Sequence, residues 1–368
     1  MIRTNRAPSP SRREFLAAAA AAPLGPAALA ALATAAPNPG MTVRTRVGTG
    51  PISIASGNGL RACTRAVELL KQGADPADAI VQGVAIIEND PEDQSVGLGG
   101  LPNEEGVVQL DASVMYGPTH KAGAVAAIEN IKNPAAVALL VLRRTNHVLL
   151  VGAGALKFAR LHGFQEENLL TEKSRKAWLK WKENLSPRDD WLDDEQRDPT
   201  VGKAADPLAA VTPMHTTGTV HCSALTAGGD LASCTSTSGL SWKIPGRVGD
   251  SPIIGAGNYC DNAVGAGGCT GRGESCIVNC AAFSIVSKME SGMEPTDACV
   301  AVAKRIAAHT LEIRRRAKDG RPDFDVSLYA LRKDGAYGGA CLFPGGTFAV
   351  HDGTAGRTLP CTPLFEKN

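Results

Sequence analysis

Between Thr219 and Thr235 the chain spells out a hairpin. Thr219-Val220-His221-Cys222-Ser223-Ala224-Leu225 reads as a strand, Gly228-Gly229-Asp230 as a turn, and Leu231 to Thr235 takes up the strand pattern again. Two such runs joined by a Gly-Gly-Asp turn predict antiparallel strands, so the fold must hold an antiparallel sheet and cover its faces. Forty Gly and 23 Pro in 368 residues tighten the constraint toward many turns, close backbone approaches and short elements.

Helical spacing supplies the cover. Ala62, Ala66, Leu69 and Leu70 predict a helix from Leu60 to Gln72, with Gly73 as a stop. Asp75-Pro76 opens a second helix that runs to Glu88, and Val137 to Leu142 belongs to a third. Thr296 to Arg314 reads as a late helix. Strands are expected at Pro51 to Ala55, Val107 to Leu110, Ser327 to Arg332 and Thr347 to Val350, with a short buried one at His147 to Val151. Gly152-Ala153-Gly154 lacks the third glycine and the later acid of a dinucleotide fingerprint, so it reads as a strand-to-helix turn. Helices and strands alternating in both halves give a layered α/β fold.

The first 35 residues read as an address rather than structure. Ser11-Arg12-Arg13-Glu14-Phe15-Leu16 leads into an Ala-rich apolar run ending near Ala33-Thr34-Ala35, the pattern of a twin-arginine signal. Pro23, Gly25 and Pro26 interrupt that run and argue against a permanent membrane span. The mature chain is expected to be exported, with a periplasmic destination. Ten cysteines form no CxxC pair and no zinc-type Cys/His cluster, and their connectivity cannot be read from spacing. Cys276 and Cys280, four apart, are expected on one helix face, while Cys234 and Cys260 sit in small-residue runs that suit buried thiols.

From Gln165 to Met214 the texture turns polar, with Trp178, Trp181 and Trp191 among alternating charges. We read a surface helix followed by a turn-rich excursion. The 38 Lys+Arg and 37 Asp+Glu leave a net charge of +1, too little field to hold a nucleic acid. Only 4% of residues are aromatic, which disfavours a sugar platform of stacked rings.

Three features carry candidate chemistry. Thr216-Thr217-Gly218 stands where the polar excursion meets the hairpin. A threonine hydroxyl is a weak nucleophile, but cleavage before Thr216 would free an α-amine of pKa about 8 on the same residue to act as its base. Arg247-Val248-Gly249-Asp250-Ser251-Pro252 sets a cation and an anion in a constrained loop, suited to the α-carboxylate and α-ammonium of an amino acid. Gly265-Ala266-Gly267-Gly268-Cys269-Thr270-Gly271 reads as a small-residue loop able to bring donors to an oxyanion. Each alone is ordinary: a strand-edge threonine, a surface ion pair, a glycine turn. Together, in this order, they gain weight.

In that order the chain resembles the glycosylasparaginase and isoaspartyl peptidase family of N-terminal nucleophile hydrolases. The resemblance runs from about Pro51 to Asp352 through Ser95-Val96-Gly97-Leu98-Gly99-Gly100-Leu101-Pro102-Asn103, Leu110-Asp111-Ala112, Gly123-Ala124-Val125, Ile131-Lys132-Asn133-Pro134 and His147 to Gly152. Its most specific run is Gly246 to Gly257. The resemblance implies a four-layer αββα sandwich cut between His215 and Thr216 into an α chain, 36–215, and a β chain, 216–368. It implies Thr216 as nucleophile, Thr237 and Ser95 as supporting hydroxyls, Arg247 and Asp250 as the substrate clamp, and Thr270 and Gly271 as the oxyanion hole. It further implies a small-molecule substrate, no metal or organic cofactor, and a dimer of cleaved αβ pairs.

Two positions depart from the family pattern. His215 precedes the nucleophile where glycosylasparaginases carry Asp and the isoaspartyl branch Gly. Ser56 or Gly57 falls where enzymes of glycosylated asparagine tend to have Trp. The expected activity is hydrolysis of the side-chain amide of an asparagine derivative, foremost N4-(β-N-acetylglucosaminyl)-L-asparagine. The alternatives are an isoaspartyl dipeptidase or L-asparaginase, and an uncleaved amino-acid-binding homologue.

Overall fold

The computed structural model describes residues 50–185, 191, 196 and 218–366. The leader over 1–35, most of the stretch 189–205, and both His215 and Thr216 lie outside the described residues. In chain order the first half holds β1 (Ile52–Ser56), α1 (Leu60–Lys71), α2 (Pro76–Glu88), β2 (Gln109–Tyr116), β3 (Lys121–Glu129), α3 (Pro134–Arg144), β4 (Leu149–Val151), α4 (Gly152–Leu161) and α5 (Glu172–Glu183). The second half holds β5 (Thr219–Leu225), β6 (Leu231–Thr237), β7 (Asn258–Asp261), β8 (Gly265–Gly271), α6 (Gly273–Asn279), α7 (Ala281–Glu290) and α8 (Pro295–His309). It closes with β9 (Val326–Arg332), β10 (Tyr337–Cys341), β11 (Thr347–His351), β12 (Gly356–Pro360) and β13 (Thr362–Pro363).

The strands build two sheets, ordered β12-β11-β1-β5-β6-β2-β3-β4 and β13-β10-β9-β8-β7. The pairing is antiparallel except for β3 with β4 and β10 with β13. Alternation along the strands assigns the layers. In β1, Ile52 and Ile54 join Leu225, Leu231, Tyr329 and Leu331 in a core between the sheets, while Ala55 joins Ala62, Ile80 and Val84 under the helices. A third cluster packs α7 and α8 on the other side of the smaller sheet, through Ile285, Val302 and Ile306 against Leu328 and Ala330. Helix, sheet, sheet, helix: this is the four-layer αββα sandwich. Because both faces of each sheet are covered, strands such as β5 and β6 are buried along their whole length.

Local signals place the elements well where chemistry dictates them. The Asp75 carboxylate accepts from Ala77 N at 2.9 Å and starts α2, with Pro76 as its first residue. The hairpin forms as read, Cys222 facing Cys234 in register. The surface helix of the polar stretch is α5, whose Trp181 stacks on Trp242 at 5.3 Å.

Four readings are corrected. The strand expected from Val107 begins at Gln109 and runs on to Tyr116. The strand expected to be buried at His147 to Val151 is the three-residue β4 on the edge of the large sheet, with Val151 56% exposed. Cys276 and Cys280 do not share a helix face, since Cys280 takes φ +45° between α6 and α7 and is exposed while Cys276 is buried. The small-residue loop Gly265 to Gly271 is β8, a strand of the smaller sheet. Its glycines answer to its neighbours: a Cβ on Gly267 would meet Ala282 O at 2.8 Å, and one on Gly268 would stand 2.1 Å from the His221 ring.

Candidate active site

The ends of β5, β6 and β8 and the loop after β6 enclose a cleft of about 320 Å³, part of it open to solvent. Gly218, Thr219, Thr237, Arg247, Asp250 and Gly271 line it, together with Gly239, Leu240, Gly249 and Ser251. Gly218, the residue just before β5, is where the described structure resumes, and it lines this cleft.

Thr237, the last residue of β6, is the hub of the cleft floor. Its hydroxyl donates to Gly218 O and accepts from Thr219 Oγ1 at 3.1 Å and from Gly239 N at 2.9 Å. One side chain thereby fixes the residue two places after Thr216 and the turn that leads to the clamp loop. Ser95 acts from the other side through its backbone. Its carbonyl accepts from Ser238 N at 2.7 Å and Ser238 Oγ at 2.9 Å, while its hydroxyl donates to Asp93. Ser95 therefore supports the end of β6 rather than lining the cleft.

Arg247 and Asp250 reach the same cleft but do not pair with each other. The guanidinium gives Nε and Nη2 to one oxygen of Glu274, at 3.0 and 2.8 Å, while Arg272 reaches the other oxygen at 3.2 Å. Burial alone would raise the Glu274 pKa, but the two guanidinium groups overcome it and hold the carboxyl below its ordinary value. Glycines wall the Arg247 guanidinium: a Cβ at Gly249 would stand 2.9 Å from Nη1, at Gly273 3.1 Å from Nη2, and at Gly239 3.2 Å from Nη1. No side chain could grow at these positions without displacing it.

Asp250 is 5% exposed, and its Oδ2 has no hydrogen-bond partner. Burial pushes its pKa up to about 7, against the pull of Arg247. The Cys276 thiol and the Asp250 backbone N–H also hydrogen-bond the carboxylate, but a buried carboxylate with one oxygen left open is costly and well matched to a cation that enters the cleft. Gly271, at φ +108°, reaches the cleft; the Thr270 hydroxyl is tied to Tyr329 OH at 2.8 Å and does not line it.

Sequence reading missed Glu274 and a second charge, Lys243. The latter is 5% exposed beneath the cleft, its Nζ donating to Gln109 O at 2.8 Å and Ser238 O at 3.0 Å. Burial lowers its pKa, and the nearby Asp111 carboxylate opposes that. Asp111 in turn accepts from Ala127 N at 2.8 Å, where β2 and β3 slip register.

The sequence around this cleft matches a known family. The family model described as "Asparaginase" matches residues 49–313. The chain belongs to the asparaginase family and is an amidohydrolase. It is 40% identical over 308 residues to the N4-(β-N-acetylglucosaminyl)-L-asparaginase of Elizabethkingia miricola, covering 83% of each chain. It is 34% identical to the mouse enzyme of the same name, across 74% of this chain and 78% of that one. It is also 38% identical to the isoaspartyl peptidase/L-asparaginase of Xenopus laevis, across 65% of this chain and 71% of that one. Within this asparaginase-family chain, Gly246 to Gly257 holds both Arg247 and Asp250.

Proposed function

We propose that this enzyme hydrolyses the side-chain amide of L-asparagine derivatives, foremost N4-(β-N-acetylglucosaminyl)-L-asparagine, with Thr216 as an N-terminal nucleophile. One observation carries the reading: a buried carboxylate with an unpartnered oxygen, Asp250 Oδ2, shares a cleft with a guanidinium, Arg247, that is held by Glu274 instead. The pair offers an anion to an α-ammonium and a cation to an α-carboxylate, at the mouth of the strand that follows Thr216.

Cleavage of the His215–Thr216 bond frees the α-amine of Thr216. That amine takes the hydroxyl proton as Oγ attacks the amide carbonyl, and a tetrahedral oxyanion forms. The Gly271 backbone is on the cleft wall to receive the oxyanion. Thr270 can join it if Tyr329 OH donates to the threonine and leaves that proton free. The C–N bond then breaks, the amine carries the proton to the leaving nitrogen, and water hydrolyses the aspartyl ester to release aspartate. Thr237 keeps Gly218, and with it the nucleophile's segment, in place.

A second reading, hydrolysis of β-aspartyl dipeptides or asparagine itself, is favoured by the loop after β1. A Cβ on Gly57 would run into Thr347 Oγ1, and the Ser56 hydroxyl accepts from His221 N at 3.1 Å and donates to Asn58 at 2.7 Å. Neither position offers an indole to a sugar. Turnover of glycosylasparagine, β-aspartyl dipeptides and asparagine by one preparation separates the readings; no aspartate from any of them would refute both. The Arg-Arg leader and apolar run support export by the twin-arginine route, and the family resemblance supports a dimer of αβ pairs.

A further inference from the structure

Asp250 Oδ2 is not the only polar atom of this loop without a partner. Ser251, the next residue, lines the same cleft, is 1% exposed, and leaves its Oγ without a hydrogen bond. A buried hydroxyl without a partner is costly, and two unpartnered acceptor atoms on consecutive residues that line one cleft ask for a ligand that satisfies both. An ammonium has three N–H donors, and the Asp250 carboxylate is one acceptor among the several it can use. We infer that Ser251 Oγ is the second acceptor for the substrate's α-ammonium, a binding role that rests on the amino-acid reading of the cleft.

The backbone of Ser251 is held in a way that suits the task. Ser113 Oγ donates to Ser251 O at 2.6 Å and accepts from Asn258 Nδ2 at 3.1 Å. Asn258 Oδ1 accepts from Ser233 Oγ, so the 2.9 Å contact between Ser233 and Ser223 must run from Ser223 to Ser233. Ser223 must then accept from His221 Nε2 at 2.8 Å, which makes His221 the Nε2–H tautomer. Nδ1 accepts from Thr235 Oγ1 at 2.9 Å, the nearer of that hydroxyl's two contacts. All these donors point one way, across an otherwise apolar space between sheets, and end on the carbonyl of Ser251. Asp250 O adds two bonds on the other side, from Ile253 N at 2.9 Å and Gly257 N at 3.1 Å. The loop has its conformation fixed while two side-chain acceptors stay open.

The test is Ser251→Ala in the full chain, with Ser251→Thr as the variant that keeps a hydroxyl. Three substrates are compared: a β-aspartyl amide, its succinyl counterpart without the α-amine, and its α-carboxamide. Loss of a hydrogen bond to a charged group should lower kcat/KM for the β-aspartyl amide and for the α-carboxamide by about ten- to a hundredfold. Turnover of the succinyl amide should stay as in wild type, and Ser251→Thr should recover most of the loss. Equal losses on all three substrates, no loss at all, or a loss that disappears only with the carboxamide would each overturn the assignment. Should wild type hydrolyse no aspartyl amide, the functional reading fails. Calorimetric binding of aspartate against succinate, wild type against Ser251→Ala, then decides the role of Ser251 by itself.

Discussion

Arg247 places Nε and Nη2 on a single oxygen of Glu274, and the carboxylate three residues along its own loop, Asp250, stays unpaired. The acid that holds the arginine is 27 positions away and comes from the first turn of α6. This arrangement keeps the cation and the anion of the clamp apart. Were Glu274 absent, Arg247 would be released toward the unsatisfied oxygen of Asp250, and the proposed clamp would close on itself.

Removing Glu274 should therefore damage binding more than chemistry. Glu274→Ala should raise KM for an aspartyl amide by about tenfold or more, with a smaller change in kcat. Glu274→Gln keeps an acceptor oxygen and should lie between the variant and wild type. The side chain of Glu274 is 42% exposed, so little change in melting temperature is expected. Steady-state kinetics with an α-carboxamide substrate completes the check: that substrate should gain nothing from Glu274, and an equal KM rise on it would refute the account.

The proposed role of Asp250 links substrate binding to pH. With its carboxyl titrating at about 7 in the free protein, an arriving α-ammonium meets an anion above that pH and a neutral acid below it. The pH profile of kcat/KM should fall on the acid side of about 7 for the aspartyl amide, and this limb should weaken for the succinyl amide. Its effect on stability has the opposite sense. A carboxyl raised above its unfolded value binds more protons when folded, so its cost appears as pH rises through 3.8 to about 7. Asp250→Asn should melt higher than wild type at pH 8 yet fail to bind aspartate. A variant that melts lower at pH 8 would show that Asp250 supports the fold.

His221 behaves the other way. It is buried without an acidic partner, hydrogen-bonded through both ring nitrogens and stacked on Tyr329 at 5.8 Å, and burial lowers its pKa to about 3. Unfolded, it takes up a proton below about 6.5; folded, it does not until about 3. Stability from this residue is present above pH 6.5 and is lost as pH falls from there toward 3. Melting curves at pH 7 and pH 5 should show a larger drop for wild type than for His221→Gln, whose side chain does not titrate. Parallel drops in the two proteins would mean that the imidazole is not what acid attacks.

The hairpin of β5 and β6 was legible because alternation and a Gly-Gly-Asp turn act over a few residues, and both are local. The α2 cap was legible for the same reason. What reads poorly is whatever a distant neighbour imposes. Gly265 to Gly271 has the composition of a loop, yet it is a central strand because Ala282 and His221 leave no room for side chains on it. Lys121 to Glu129 is rich in alanine and carries no strand signal, but pairing with β2 and β4 makes it β3. In the site, Arg247 and Asp250, singled out by residue type, and Gly271, added by the family pattern, all line the cleft. The hold of Glu274 on Arg247 and of Tyr329 on Thr270 depends on packing between elements and leaves no mark in spacing.

The last prediction concerns cleavage before Thr216. Thr237 supplies one hydroxyl hydrogen, and it goes to Gly218 O; its two lone-pair sites receive Thr219 Oγ1 and Gly239 N. Valine has nearly the same shape and none of these bonds. Thr237→Val should thus leave the sandwich folded but free the carbonyl of Gly218, two residues after the proposed cleavage point. Intact mass of purified wild type should show two chains, the smaller beginning at Thr216, whereas Thr216→Ala should stay one chain. Thr237→Val should accumulate the uncut form, maturing at least about tenfold more slowly, and Thr237→Ser should mature close to normally because its hydroxyl can make the same three bonds. His215 is the natural companion variant: His215→Asp should mature at least as fast as wild type if the family's residue is better suited to the step. A Thr237→Val protein that cuts itself at the wild-type rate would remove Thr237 from the processing step and confine it to turnover.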